Sequence, residues 1–132
     1  MESQFSILFR HWLRANKILT CSLEMKDSRG KNSFPFSELK QAQIDWALAI
    51  NSDKGVLMRT QAVAEGMPDY VYFRNEPSYI VINYPHSFSI ISINTFLLEK
   101  ERLLRGSRPT KSLSEGRAEE ISVKTIKKST AK

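Results

Sequence analysis

The sequence predicts a mixed α/β (α+β) domain, in which a central mixed sheet is flanked by helices and followed by a basic C-terminal segment. Three observations predict it. Residues 19–26 alternate strictly, with Leu19, Cys21, Leu23 and Met25 on one side and Thr20, Ser22, Glu24 and Lys26 on the other, the period of a half-buried strand. Residues 79–84 are almost all apolar, as a central strand is. Apolar residues at helical spacing stand before and after these strands, so the order of elements is helix, strand, helix, several strands, helix.

Each element has its own local signal. Over residues 2–15, Phe5, Phe9, Trp12 and Leu13 recur at helical spacing. Glu2 lies on the same face one turn earlier, where a carboxylate complements the helix dipole. Asn16 and Lys17 end this helix, and the alternating strand follows. Residues 26–32 form a polar loop with Arg29, Gly30 and Lys31, either a solvated turn or a grip on phosphate. Pro35 and Ser37 open the next helix, with Ser37 as N-cap and Glu38 in the first turn. It runs to about residue 51, and Leu39, Gln43, Trp46, Ala47 and Ile50 share one face. Gln43 is the polar member of that stripe, and a buried amide needs partners.

Gly55 restarts the chain as a strand over 56–63, broken by Gly66 and Pro68. Residues 70–73 read as a short strand, 74–78 as a turn, and 79–84 as the central strand. Pro85 and His86 turn the chain into a strand over 88–93, and Asn94 caps a helix over 95–104. These residues, 1–104, read as one domain of a size that supports a single core. Residues 105–132 read as a basic tail, partly helical or disordered. They carry eight basic residues against three acidic ones, with Ser112 and Glu115 spaced as a capping box.

Composition excludes several classes of function. No apolar run is long enough to span a membrane, and the first residues lack the pattern of a secretory signal. The single Cys21 reads as a small buried hydrophobe in a reducing compartment, the cytoplasm of a cell or of a host if the chain is phage-encoded. One cysteine and two distant histidines build no zinc site. The formal charge of +6 suits a polyanionic partner.

Glu24 and Lys26 are neighbours on one face of the first strand. A carboxylate can hold a hard divalent cation through oxygen, and an ammonium beside it can meet charge developing on a phosphate. An ordinary solvated ion pair gives the same pattern. The surrounding text is more specific. Glu24-x-Lys26, the basic Gly-containing loop, Ser33-Phe34-Pro35-Phe36 and a helix carrying Gln43-Ile44 resemble the Holliday junction resolvases of the RecU and archaeal type, within the PD-(D/E)xK nuclease superfamily. The resemblance runs from about residue 2 to residue 100.

It implies a restriction-endonuclease-like sheet, Mg²⁺ or Mn²⁺ as cofactor, branched DNA as substrate, and a homodimer matched to a two-fold junction. It also implies roles: Glu24 and Glu2 as metal ligands, Lys26 as the catalytic cation, and Gln43 as a support for water or phosphate. Arg29, Lys31, Arg105, Arg108 and Lys111 would contact the nucleic acid. The family's further Asp, on a strand just before Glu-x-Lys, is missing, since no Asp precedes Asp27. Asp27 alternates to the opposite face. Asp69, which opens a later strand, is the candidate replacement as catalytic and metal-binding carboxylate, although Pro68-Asp69 is also a turn sequence. The expected function is therefore a metal-dependent, structure-selective DNA endonuclease. The alternatives are a nuclease-fold DNA-binding module that does not cut, and a general nuclease acting on RNA or DNA ends.

Overall fold

The structure, a computed structural model, describes residues 4–18, 21–59 and 70–128. Helix α1 (Gln4–Ala15) leads to strand β1 (Ser22–Asp27), short strand β2 (Ser33–Pro35), a 3₁₀ turn (Phe36–Glu38) and helix α2 (Gln41–Asn51). Then come β3 (Val56–Arg59), β4 (Tyr70–Phe73), β5 (Ser78–Asn83), β6 (Ser87–Ser92) and α3 (Ile93–Arg105). The chain closes with β7 (Ser112–Ser114), α4 (Glu115–Ile121) and β8 (Lys124–Lys127).

The main sheet has the order β1-β5-β6-β8. β1 runs parallel to β5, and the other pairings are antiparallel. The mixed sheet flanked by helices is what the sequence predicts, and alternation along its strands divides the apolar residues between two cores. Ile80, Ile82 and Ile91 face Ile44 and Ala47 of α2, Phe96 of α3, Ala118 of α4, and Phe34 and Leu113 of the β2–β7 ribbon. Val81, Ile90 and Ile126 face Phe9 of α1, with Trp12, Leu13, Cys21 and Leu23 packed around them. β3 and β4 form a separate two-stranded ribbon.

Several local expectations are corrected. Ser37 does not cap α2. Residues 36–38 form a 3₁₀ turn whose three-residue period buries both Phe36 and Leu39, and the helix starts after Lys40. The cap of α3 is Ser92, whose hydroxyl accepts from the Thr95 N–H at 3.2 Å, not Asn94. The cap of α4 is Ser114, which accepts from the Arg117 N–H at 3.2 Å. Ser112 lies in β7 instead of starting a capping box. Met25 is 49 % exposed and Trp46 43 % exposed, although both stand on apolar stripes of the sequence. β1 is an edge strand, and Leu23 packs against the second core whereas Met25 is not part of it.

The largest correction concerns the segment expected as a basic, partly helical or disordered tail: its described part, up to residue 128, is folded against the rest of the domain. β8 pairs with β6 as the far edge of the main sheet, and β7 pairs with β2. Leu113 and Ala118 are fully buried and Ile126 nearly so. The Tyr84 hydroxyl, buried beneath this segment, donates to the Leu113 carbonyl at 2.8 Å. Charge counting missed these residues because three apolar side chains are enough to seat two short strands and a helix when each meets a preformed core.

Candidate functional site

β1 carries the Glu-x-Lys pair. Glu24 is in register with Ile80 and Lys26 with Ile82. Matched residues of a parallel pair point to the same side of the sheet, so both charged side chains lie on the face covered by α2 and α3. Their position at the sheet edge lets the charged ends reach solvent. The Glu24 side chain is 37 % exposed and that of Lys26 19 %.

α2 supplies the third member. The Lys40 backbone N–H, orphaned at the start of the helix, donates to Gln43 Oε1 at 3.0 Å. The other end of the same amide, Nε2, donates to Glu24 Oε1 at 2.8 Å. An amide oxygen only accepts and its nitrogen only donates, so the helix cap fixes which end faces the carboxylate. Lys26 Nζ stands 3.7 Å from the same Oε1, an ion-pair distance beyond an ordinary hydrogen bond. Both contacts fall on the same carboxylate oxygen, Oε1. The trio of Glu24, Lys26 and Gln43 named from the sequence is thus brought together in space.

The other sequence candidates fall elsewhere. Glu2 and Asp69 lie outside the described residues. Asp27 is exposed, and its Oδ1 accepts from the Arg29 N–H at 2.8 Å. That contact closes a tight turn in which Arg29 (φ 57°) and Gly30 (φ 78°) are both left-handed. The Arg29 and Lys31 side chains are exposed on this turn. With Asp27, Ser28, Pro35 and Glu38 they line a hollow of about 70 Å³. Ser28 is buried there, and its hydroxyl has no hydrogen-bond partner.

Lys111 joins the same ribbon, because its carbonyl accepts from the Phe36 N–H at 3.0 Å. Arg105 ends α3 and pairs with Glu101 at 2.6 Å. Arg108 is exposed in the connection to β7. The five basic residues therefore separate into Arg29, Lys31 and Lys111 along the β2–β7 ribbon, and Arg105 and Arg108 at the end of α3.

Sequence reasoning missed a second charged cluster. Glu99 on α3 is 5 % exposed. Arg117 of α4 grips it at 2.9 Å and 3.0 Å, and Arg102 approaches at 2.5 Å. Hydrogen bonds from Arg117 and then Arg102 hold its carboxyl down at about 2, against the opposing effect of burial. Its signal in the sequence is an acid three residues after Phe96 on the packing face of α3. This cluster ties α3 to α4 and lies apart from the Glu24 site.

Among the described residues, no three or more His, Cys, Asp or Glu side chains gather into a group that could hold a metal. Among the same residues, no helix is long and apolar enough to cross a membrane. No family model, no curated protein and no solved structure matches this chain.

Proposed function

We propose that this chain is a metal-dependent, structure-selective DNA endonuclease of restriction-endonuclease-like fold, most like a Holliday junction resolvase, acting as a homodimer. One observation carries the reading: Gln43 Nε2 sits 2.8 Å from Glu24 Oε1 with Lys26 alongside. A strand-borne Glu-x-Lys held by a helical glutamine is the arrangement that the resemblance requires.

Among the described residues Glu24 offers one hard oxygen donor, which suits Mg²⁺ or Mn²⁺. Mg²⁺ takes hard oxygen ligands, often only one or two carboxylates, and completes its shell with water and phosphate oxygens. Glu24 would hold it. When bound, such an ion neutralises phosphate charge and makes a water molecule more acidic. The chain's own residues do the rest. Gln43, locked by the Lys40 N–H, keeps the Glu24 carboxylate from rotating. Lys26 donates to a phosphate oxygen as negative charge grows there, and the cost of orienting it is lowered because Glu24 already holds it in place. Arg29, Lys31 and Lys111 contact flanking phosphates, and Arg105 and Arg108 extend the basic surface.

A second reading is a DNA-binding module of the same fold that does not cut. It is supported by the fact that Gln43 and Lys26 both use Oε1 of Glu24, as a self-satisfied polar trio would. The test compares a labelled four-way junction with a matched linear duplex, each in Mg²⁺ and in EDTA. Symmetric nicks in the junction alone, dependent on Mg²⁺, are expected. Tight binding with no nicks supports the module, and equal degradation of both substrates supports a general nuclease.

A further inference from the structure

β1 has a second feature besides its charged face. It ends the sheet, so one of its edges is unpaired by any described strand. The Ser22 N–H donates to the Pro77 carbonyl at 2.8 Å and the Ser28 N–H to the Asn83 carbonyl at 3.1 Å. In a parallel ladder a residue turns both of its backbone groups to the same neighbour. Even-numbered residues of β1 therefore face β5, and Leu23 presents its N–H and C=O at the open edge. A cleft of about 220 Å³ lies along that edge, lined by Ser22, Leu23, Trp46, Ile50, Phe73 and Glu76.

The cleft adjoins the Glu24 site on two elements. Ser22 precedes Glu24 on the same face of β1, and Trp46 follows Gln43 by one turn of α2. Trp46 is 43 % exposed, a large aromatic surface left open beside a carboxylate site. The volume is below the roughly 300–1,000 Å³ of pockets that take drug-sized ligands, which suits one ring system and not a whole nucleotide. The walls combine the aromatic residues Trp46 and Phe73 with the polar residues Ser22 and Glu76. Aromatic faces stack any base, and a carboxylate accepts from an exocyclic amino group.

We infer that this cleft binds one unpaired nucleobase, preferably one with an exocyclic amino group, from the nucleotide next to the phosphate held at Glu24 and Lys26. This rests on the nuclease reading for its biological role, though the base site itself needs no cleavage. It supplies a physical basis for structure selectivity. A base within a continuous duplex must be unstacked to enter, whereas a base at a branch point is already partly free.

The test is NMR of the full chain with ¹⁵N-labelled tryptophan, in EDTA so that nothing is cut. The chain has two indole N–H groups, from Trp12 and Trp46, and Trp46→Ala assigns them. Trp12 packs between Phe9 and Tyr79 and serves as the internal control. Three single strands of equal length are titrated: oligo-dC, oligo-dT and an abasic strand of the same charge. Oligo-dC should move the Trp46 signal saturably, oligo-dT should bind more weakly, and the abasic strand should leave it in place. Trp46→Ala should weaken oligo-dC binding about tenfold or more without changing abasic-strand binding. Glu76→Gln should remove the preference for dC over dT.

A Trp46 signal that responds equally to the abasic strand, or to none of the three, overturns the base site. The two readings separate cleanly. Junction cleavage without a Trp46 response removes the base site and leaves the nuclease. A base-dependent response in a protein that cuts nothing upholds the base site and removes the nuclease.

Discussion

Gln43 and Glu24 are 19 residues apart in the chain and bonded at 2.8 Å in the fold. The contact joins the first turn of α2 to the edge strand of the sheet, and the same amide satisfies the helix's own Lys40 N–H at 3.0 Å. Truncating Gln43 therefore breaks two things at once. Gln43→Ala should lower stability by about 1–2 kcal/mol, through the lost cap and a half-buried carboxylate left without its donor. It should also slow junction cleavage more than it weakens junction binding. Urea unfolding and single-turnover cleavage check the two effects. A variant that loses stability but cuts at the normal rate would make the amide purely structural.

Glu24→Gln and Lys26→Ala separate chemistry from binding. Both should abolish cleavage in Mg²⁺. In EDTA, junction affinity should barely change for Lys26→Ala, since one of several basic contacts is lost, and should hold or rise for Glu24→Gln, since a negative charge facing phosphate is gone. Stability should shift by no more than about 1 kcal/mol for each, because the pair is partly solvated. Normal cleavage by either variant would refute the catalytic assignment.

Met25 and Leu23 are two positions apart on one stripe of the sequence but have different environments. Met25 is 49 % exposed, so Met25→Lys should stay within about 0.5 kcal/mol of the parent. Leu23 packs against the core beneath α1, and Leu23→Lys should cost several kcal/mol or prevent folding, because it places a charge among apolar side chains. Thermal denaturation of the two variants side by side gives the answer.

Glu99 gives the protein a pH dependence of known sign. Its carboxyl is lowered from 4.5 to about 2 in the fold by its arginine partners. The unfolded chain therefore takes up a proton at higher pH than the folded one. The stability that this group contributes is fully present above about pH 4.5 and is lost as the pH falls toward about 2. The loss is on the order of 2–3 kcal/mol. Glu99→Gln should be less stable at neutral pH and should show a correspondingly smaller fall in acid. Urea unfolding from pH 6 to about 2 measures both curves, and parallel curves would show that Glu99 contributes no such dependence.

Removal of residues 105–132 should abolish cooperative unfolding instead of trimming a solvated tail. It takes away the edge strand β8, the partner of β2, and the buried Leu113, Ala118 and Ile126. A truncated chain with a sharp thermal transition and dispersed NMR signals would contradict the placement of this segment in the core.

Periodicity and local chemistry by themselves determined the element types of α1, β1, α2, β5, β6 and α3, the shared face of Glu24 and Lys26, and the oddity of Gln43. These are short-range properties: a period of two or 3.6 is legible wherever one face of an element is buried. The tertiary structure alone decided which faces those are. It exposed Met25, because β1 lies at an edge of the sheet and Met25 stays outside the second core, and it left Trp46 of α2 exposed on the other side of that edge. It turned Gln43 toward Glu24 and not toward some other buried group, because the helix cap fixed the amide. It drew β8 into the main sheet and β7 onto β2, because short strands gain their stability from a partner that is distant in the chain and carry little signal of their own. It also bound Glu99 to Arg117, 18 residues further on, through a pairing that depends on how α3 and α4 pack and that no local pattern encodes.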